Sequence, residues 1–600
     1  MQNTKWDISN LLKSESKETF NKHVEETKLN SYKFIDKWKN RDDYLKNPKI
    51  LLQALEEYEE WTSNYGPDGN IGYYYWLKSS LNKTDPKIKA KLNQITDFAT
   101  KISNDIQFFT MRIAKIPQIH QKTFLKYPQL NKYKHFLENL FDEAKYLLTE
   151  DQEKIINLKG PMSYSNWVKM TSSLLSKEEM IILAEDGKKS KKNFSEILGL
   201  IDNQKKEIRD SAAKAFNKIQ EKYVEIAEHE INSILQDKKI EDELRGFKRP
   251  DSERHNSDDI KTEVVDALIK AVSNRFDISK DYYKLKAKLM KVNKLKYHER
   301  NVPYGTIEKD YKYSECVDLI DKVLVKIDKE FSNTFKIFRE EKRIDVYPQK
   351  GKSSGAFCVH GTIKQPTYIL LNYTNKLRDV STLAHELGHG INNEMIKKKQ
   401  NGLNFGTPTS TAEVASTFIE DFVFDEILKN SNDETKLSIM MSKLNDDIST
   451  IFRQIACYKF ELELHTKFRE KGYLSKDEIG KIFQKHMESY MGTAVEQTKG
   501  SKNWWVYWKH IRSYFYVYSY ASGLLISKSL QNSYKKDPKY INKIKDFMSA
   551  GLCKSPADIF LSLNINISNQ DFWKKGLDEV SKLLEDTEQL AIKLGKIKSK

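Results

Sequence analysis

In the stretch MMSKLNDDISTIFRQIACYKFELELH, residues 440 to 465, apolar side chains recur every three or four positions. Leu444, Ile448, Ile451, Phe452, Ile455 and Tyr458 line one face at the helical period, which an alternating strand does not produce. The same spacing runs through residues 215 to 236 and 258 to 274, without a repeat of fixed period. The 13 prolines fall mostly between such segments, as helix punctuation should. The pattern predicts a mainly α chain with turn-rich loops at 63–70, 245–259, 346–355 and 401–410. One stretch departs from it. PTYILLNY, 366 to 373, is a short β-prone run after a proline. It predicts a small β-sheet inside the helical body, with this run as an edge strand to which an extended peptide adds by backbone hydrogen bonds.

Shortly after that strand comes TLAHELGHGINNEM, residues 382 to 395. On a helix, residues four apart differ by about 40° of rotation and one turn of rise. His385 and His389 therefore project side by side and can share one cation. Glu386 lies about 100° round from His385 and can reach a water on the metal without being a ligand. Two imidazoles hold zinc, and the carboxylate takes a proton from the water that zinc activates. Leu383, Ala384 and Leu387 make the surrounding turn apolar, so the helix is expected to be buried, and buried histidines need partners. Gly388 costs about 1 kcal/mol against alanine in a helix, which suggests that another backbone or a ligand comes close.

Zinc needs a third protein ligand. A third histidine in the pattern HExxHxxGxxH is excluded, because Asn392 and Met395 stand at its last two positions. A carboxylate remains, from Glu394, Glu413 or Glu420. Glu394 is on the same helix and points elsewhere. Glu413 opens a new helical pattern, and Glu413, Ser416 and Glu420 share one face of it. Glu413 is placed to cross to the first helix, and Glu420 to accept the free N–H of a ligand histidine. Two neutral histidines and one carboxylate leave zinc a net charge near +1, which favours hydroxide over water and polarises a carbonyl.

Charge and cysteines exclude other classes. The net charge is +16, but 85 acidic residues are interleaved with 101 basic ones and no basic block forms a stripe, so nucleic-acid binding is not expected. The four cysteines are far apart, which fits neither a disulfide framework nor a cysteine zinc site and suits a reducing compartment. MQNTKWDISNLLKSES has no apolar core of a signal peptide, and no run of about 18 apolar residues occurs. The expectation is a soluble cytoplasmic protein, monomeric or weakly homo-oligomeric, with no membrane partner.

HELGH, 23 intervening residues and then the Glu of AEVASTFIE resembles the thimet-oligopeptidase clan of zinc peptidases, and most of all its bacterial branch, oligoendopeptidase F. SGAFC at 354–358, LRDVSTLAHELGH, FRQIACYKFELELH, HIRSYFYVYSYASG and the tail FMSAGLCKSPADIF follow the family's order. WDISNLL resembles its opening more weakly. The resemblance is specific from about 350 to 580 and diffuse before about 200. It implies an N-terminal oligoendopeptidase F-type region over 1–200 and a catalytic zinc domain over 201–600. It also implies a two-lobed helical metallopeptidase with a deep central channel, a small β-sheet beside the active-site helix and one Zn2+ per chain. Its expected substrates are short unstructured peptides, cut internally.

A tetrahedral intermediate needs oxyanion donors besides zinc. The resemblance implies that they come from WKHIRSYFYVYSYASGLL: His510 matches the family's histidine, and Tyr516, Tyr518 and Tyr520 fall in its aromatic run. The expected catalytic set is Glu386, His510, Tyr516 and Tyr520, on a metal held by His385, His389 and Glu413. The donors are taken to be phenol O–H and imidazolium N–H. The family often has an aromatic pair after this histidine; Ile511 and Arg512 stand there instead, and Arg512 is expected to be solvated. Cys358 is expected to be a buried structural thiol and His360 a loop histidine. Two other readings remain open: a metal-dependent carboxypeptidase on a similar scaffold, and a non-catalytic peptide-binding homologue.

Overall fold

A computed structural model describes residues 3–306 and 309–598. Most of the described chain is helical. Among the described residues no helix is long and apolar enough to cross a membrane. The chain forms two compact units, each built from three segments: 1–147, 309–429 and 530–565 make one, and 148–308, 430–529 and 566–600 the other.

The first unit begins with four long helices, Lys17–Trp38, Pro48–Asn64, Gly69–Leu81 and Pro86–Ile106. Their starts are written in the sequence. Asn47 and Asp85 accept hydrogen bonds from the first-turn amides, and a proline follows each at the first helical position. Trp38, Tyr44, Phe109 and Tyr133 are fully buried in one core. A second core joins Trp6 and Ile71 to Tyr368 and Leu370 of a three-stranded sheet. The sheet consists of β1 (Ile344–Asp345), β2 (Phe357–Val359) and β3 (Tyr368–Leu370), in the order β1-β3-β2. β3 pairs in parallel with β1 and antiparallel with β2, Ile369 lying opposite both Ile344 and Cys358.

PTYILLNY is thus the central strand of this sheet, which corrects the expectation of an edge. The reason is visible in its composition: a strand covered on both faces reads as an unbroken apolar run, and Tyr368, Ile369 and Leu370 are at most 1% exposed. The edge on that side is β2, carried by the SGAFC stretch. The Trp6 indole donates to the Arg343 and Ile369 carbonyls, at 3.0 and 2.8 Å, and so clips the sequence start to this sheet.

The second unit is organised on a 40-residue helix, Lys206–Arg245, ended by Gly246 in the left-handed region at φ 81°. Helix Arg453–Lys471 follows a π-helical turn at Ile448–Phe452. The six apolar residues from Leu444 to Tyr458 all have zero exposure across that turn. Two of the expected loops carry short regular turns: the helix Ser252–Ser257 in one, and two 3-10 turns, Gly402–Asn404 and Thr409–Thr411, in the other.

Candidate metal centre

HELGH lies on α1 (Leu377–Lys399). Asp379 starts this helix by accepting the Thr374 and Lys376 amides at 2.7 and 2.9 Å. Val380, Leu383, Ala384, Leu387 and Ile391 are fully buried along it. A second helix, α2 (Ala412–Lys429), packs against it. Gly388 sets the distance between them. A Cβ there would lie 2.5 Å from the Ser416 Cα and 2.7 Å from the Ala415 carbonyl oxygen, so the approach is backbone to backbone.

That approach brings three donors together. Glu413 Oε2 lies 3.2 Å from His385 Nε2 and 3.7 Å from His389 Nε2. Bonds of 2.0–2.1 Å to a tetrahedral zinc imply ligand–ligand edges of about 3.3–3.4 Å. Both carboxylate–imidazole edges therefore already stand at nearly the spacing the ion requires, and all three donors lie within 4.8 Å of one another. About a quarter of each histidine side chain remains exposed, 27% for His385 and 23% for His389, so the donors are reachable. Neighbours fix their orientation. Glu420 Oε2 is 3.1 Å from His385 Nδ1, His389 is hydrogen-bonded to the Ala412 backbone, and Ser416 Oγ donates to Glu413 Oε2 at 3.2 Å. Glu394 is turned away, to Arg343 and Lys397.

Glu386 is 8% exposed and borders a cleft of about 400 Å3 that also touches Gly355, Ala356, Tyr373 and Arg378. Burial pushes its carboxyl up to about 7, against opposing pulls from His385 and from the Cys358 amide. Burial likewise raises the Cys358 thiol, which stays protonated. His360 is a loop residue, with Nδ1 3.0 Å from the Asn393 amide and its ring edge-on to Phe405.

The second unit holds the aromatic group. His510 sits in a 3-10 turn, Lys509–Arg512. Its ring centroid is 6.5 Å from that of Tyr516 and 5.8 Å from that of Tyr520, and those two tyrosines are 5.3 Å apart. Trp508 Nε1 donates to His510 Nδ1 at 2.9 Å. An indole N–H only donates, so Nδ1 carries no proton and the ring is neutral with its hydrogen on Nε2. Burial and the nearby Arg453 charge both hold its pKa below the usual histidine range. The ring is thus neutral imidazole, not the expected imidazolium. Tyr518 stands apart from the cluster: it is fully buried, its hydroxyl bonding Asp258 at 2.7 Å.

Peptidase family M3 matches residues 200–579, well over half of the chain. The chain belongs to peptidase family M3. The family's oligopeptidase F N-terminal region matches residues 112–177. An oligoendopeptidase F homolog of Borreliella burgdorferi is 27% identical over 592 residues, covering 96% of each chain. An oligopeptidase of Bacillus subtilis is 25% identical over 78% of this chain and 72% of its own. The solved oligoendopeptidase-F of Enterococcus faecium superposes with a TM-score of 0.73 at 17% identity, over 96% of this chain and 100% of that one, and so shares its fold. As an M3 member the chain is a metallopeptidase with a mainly α-helical fold.

The donor set fits the metal that M3 membership implies. Burial disfavours a charged His385, yet contacts with Glu413 and Glu420 override it and hold its proton well above the ordinary histidine range. Burial would also raise Glu413, but His385 takes it down to about 2. Burial and the neighbouring His385 charge depress His389 to about 4. Two carboxylates have thus drawn one positive charge into the cluster, and a divalent cation would replace that proton.

Arg512 is not solvated. It is 4% exposed, and its Nε and Nη2 meet Glu230 at 2.7 and 2.8 Å. Several residues around the M3 aromatic loop carry no sequence motif. Tyr514 and Phe515 both have positive φ, 41° and 56°. Arg254 donates to the Ser513 and Tyr514 carbonyls, and buried Glu461 accepts the Phe515 amide at 2.6 Å. Tyr514, Phe515 and Glu461 lie inside segments that resemble the family, while Arg254 lies in none of them.

Proposed function

We propose that this M3 chain is a zinc-dependent endopeptidase that hydrolyses internal bonds of short unstructured peptides. The observation that carries the reading is the convergence of Glu413 on both imidazoles of HELGH at tetrahedral-edge spacing, with Glu386 beside them. His385, His389 and Glu413 are the residues that would hold the ion. When bound, zinc supplies Lewis-acid polarisation of the scissile carbonyl and lowers the pKa of water. Glu386, beside the ligand His385 on the same helix, removes a proton from the attacking water and returns it to the leaving amine. His510 Nε2–H, with Tyr516 and Tyr520, donates to the oxyanion. The free edge of β2 receives the extended peptide backbone.

The M3 match over 200–579 supports assigning catalysis to 201–600, with 1–200 as the accompanying N-terminal region. Four free cysteines support a reducing, cytoplasmic setting. The test is Glu386→Gln, assayed on an internally quenched peptide blocked at both ends. Wild type is expected to cut it, which an exopeptidase cannot do. The variant keeps its zinc by metal analysis and loses turnover by about 10²–10⁴-fold. Full activity in that variant removes the mechanism. His389→Ala is expected to lose zinc on dialysis.

A further inference from the structure

The second unit encloses a cavity of about 720 Å3 whose wall includes His510. That volume suits one or two amino-acid residues. Its lining is unusual in charge. Five lysines and arginines border it and no aspartate or glutamate does. Arg512 among them is neutralised by Glu230, but two others are not. Arg300 is 6% exposed and packs beside an edge-on pair of rings, its guanidinium 4.4 Å from the Tyr297 centroid and 4.5 Å from that of Trp504. Its Nη1 donates to the Tyr297 carbonyl at 2.9 Å, while its Nε is buried without an acceptor. Arg453 likewise has a buried Nε without an acceptor, and its guanidinium lies 5.9 Å from the Trp508 ring. Among the described residues neither arginine has a carboxylate partner.

Buried cations in folded proteins are paired, because stripping water from a charge costs several kcal/mol unless a partner restores it. Aromatic faces return only part of that cost. Arg300 and Arg453 line one cavity with no carboxylate on its wall, so the wall is short of an anion. A guanidinium fork matches a carboxylate in shape, and ring-lined walls suit an apolar or aromatic group beside it. Trp508, on the same wall, is the residue that sets the His510 tautomer.

We propose that this cavity is a peptide subsite that binds a carboxylate flanked by an apolar or aromatic group, with Arg453 and Arg300 as its anion partners. That the ligand is a peptide rests on the endopeptidase reading. Its carboxylate is then either the C-terminus or an Asp or Glu side chain.

Two measurements on the full chain separate this proposal from that reading. The first ignores catalysis: tryptophan fluorescence is titrated with N-acetyl-phenylalanine and with its amide. The acid is expected to bind at least tenfold tighter than the amide, with the difference lost in Arg453→Gln. Equal binding of acid and amide, or no binding of either, overturns the proposal. The second uses quenched peptides of one sequence, with Glu or Gln beyond the cleaved bond and with a free or amidated C-terminus. One carboxylate–amide pair is expected to differ about tenfold in KM, which identifies the source, and Arg453→Gln brings that ratio to about one. A ratio unchanged in the variant overturns the subsite. If Arg453→Gln fails to fold, Arg453→Lys keeps the charge without the fork and is expected to reduce the ratio; no reduction overturns the proposal. Acid-selective binding with no peptide cut in any arm sinks the endopeptidase reading and leaves the anion site supported.

Discussion

The metal cluster and the aromatic loop are both small groups of polar side chains, and they are built in opposite ways. His385, His389 and Glu413 stand on two regular helices pressed together at one glycine. Their positions follow from helical period and a single close contact. His510 sits in a 3-10 turn, Tyr516 just after two consecutive left-handed residues and Tyr520 in the first turn of the helix Tyr518–Lys536, and the segment is held by partners as distant in sequence as Arg254 and Glu230. A site on regular elements is rigid because its neighbours along the chain are. A site on irregular backbone is rigid only because remote residues over-determine it.

The difference makes separable predictions. The largest effect belongs to the helix pair. Gly388→Val forces a branched side chain into the Ser416 backbone, so α2 must retreat and Glu413 with it. Zinc affinity should fall by at least about tenfold to a hundredfold, read by competition with a chelator, and activity should vanish with it. Near-UV circular dichroism of the aromatic loop should change little. Undiminished zinc in this variant breaks the claim that helix approach places Glu413.

In the loop, the largest effect should fall on stability. Arg512→Met strands the Glu230 carboxylate in the interior, a loss of about 3–5 kcal/mol by denaturant unfolding. Adding Glu230→Leu should recover much of it, because a neutral pair carries no desolvation cost. The folded fraction should still bind zinc normally, and zinc loss would join two regions that the comparison separates. Next comes chemistry: His510→Ala is expected to lower kcat by about 10²–10³-fold with zinc content unchanged. An unchanged kcat would remove His510 from the reaction.

The same contrast explains what could be read from the sequence. The spacing of HELGH and Glu413 carries its own geometry, and Gly388 announces the close approach because a glycine inside a good helix needs a reason. The expectation of an edge for PTYILLNY missed the signal of its apolar run Tyr368 to Leu371, since an edge strand would alternate. Arg512 was not legible. Between an isoleucine and a serine it looks like any surface arginine, and the carboxylate that buries it lies 282 residues earlier. Nor does a sequence report the tautomer of His510, which depends on how one indole points.

The mildest substitution, with its effect spread over several pH units, tests the remote clamp itself. Glu461 has no exposure, and burial raises its carboxyl to about 8, with the Phe515 amide and the Arg254 charge pulling the other way. The folded chain therefore holds a proton there that the unfolded chain has released above its ordinary value. A folded-state pKa that is raised contributes fully below the unfolded pKa and loses that contribution as pH climbs through the folded one. Unfolding free energy should thus decline between about pH 5 and 8 through this group, by at most about 1.4 kcal/mol per pH unit. Glu461→Gln keeps an oxygen for the Phe515 amide but cannot ionise. Its stability relative to wild type should improve steadily over that window and level off above pH 8. Parallel curves for the two proteins would mean that Glu461 is already ionised at pH 5, and that the loop is held by a buried charge rather than by a neutral hydrogen bond.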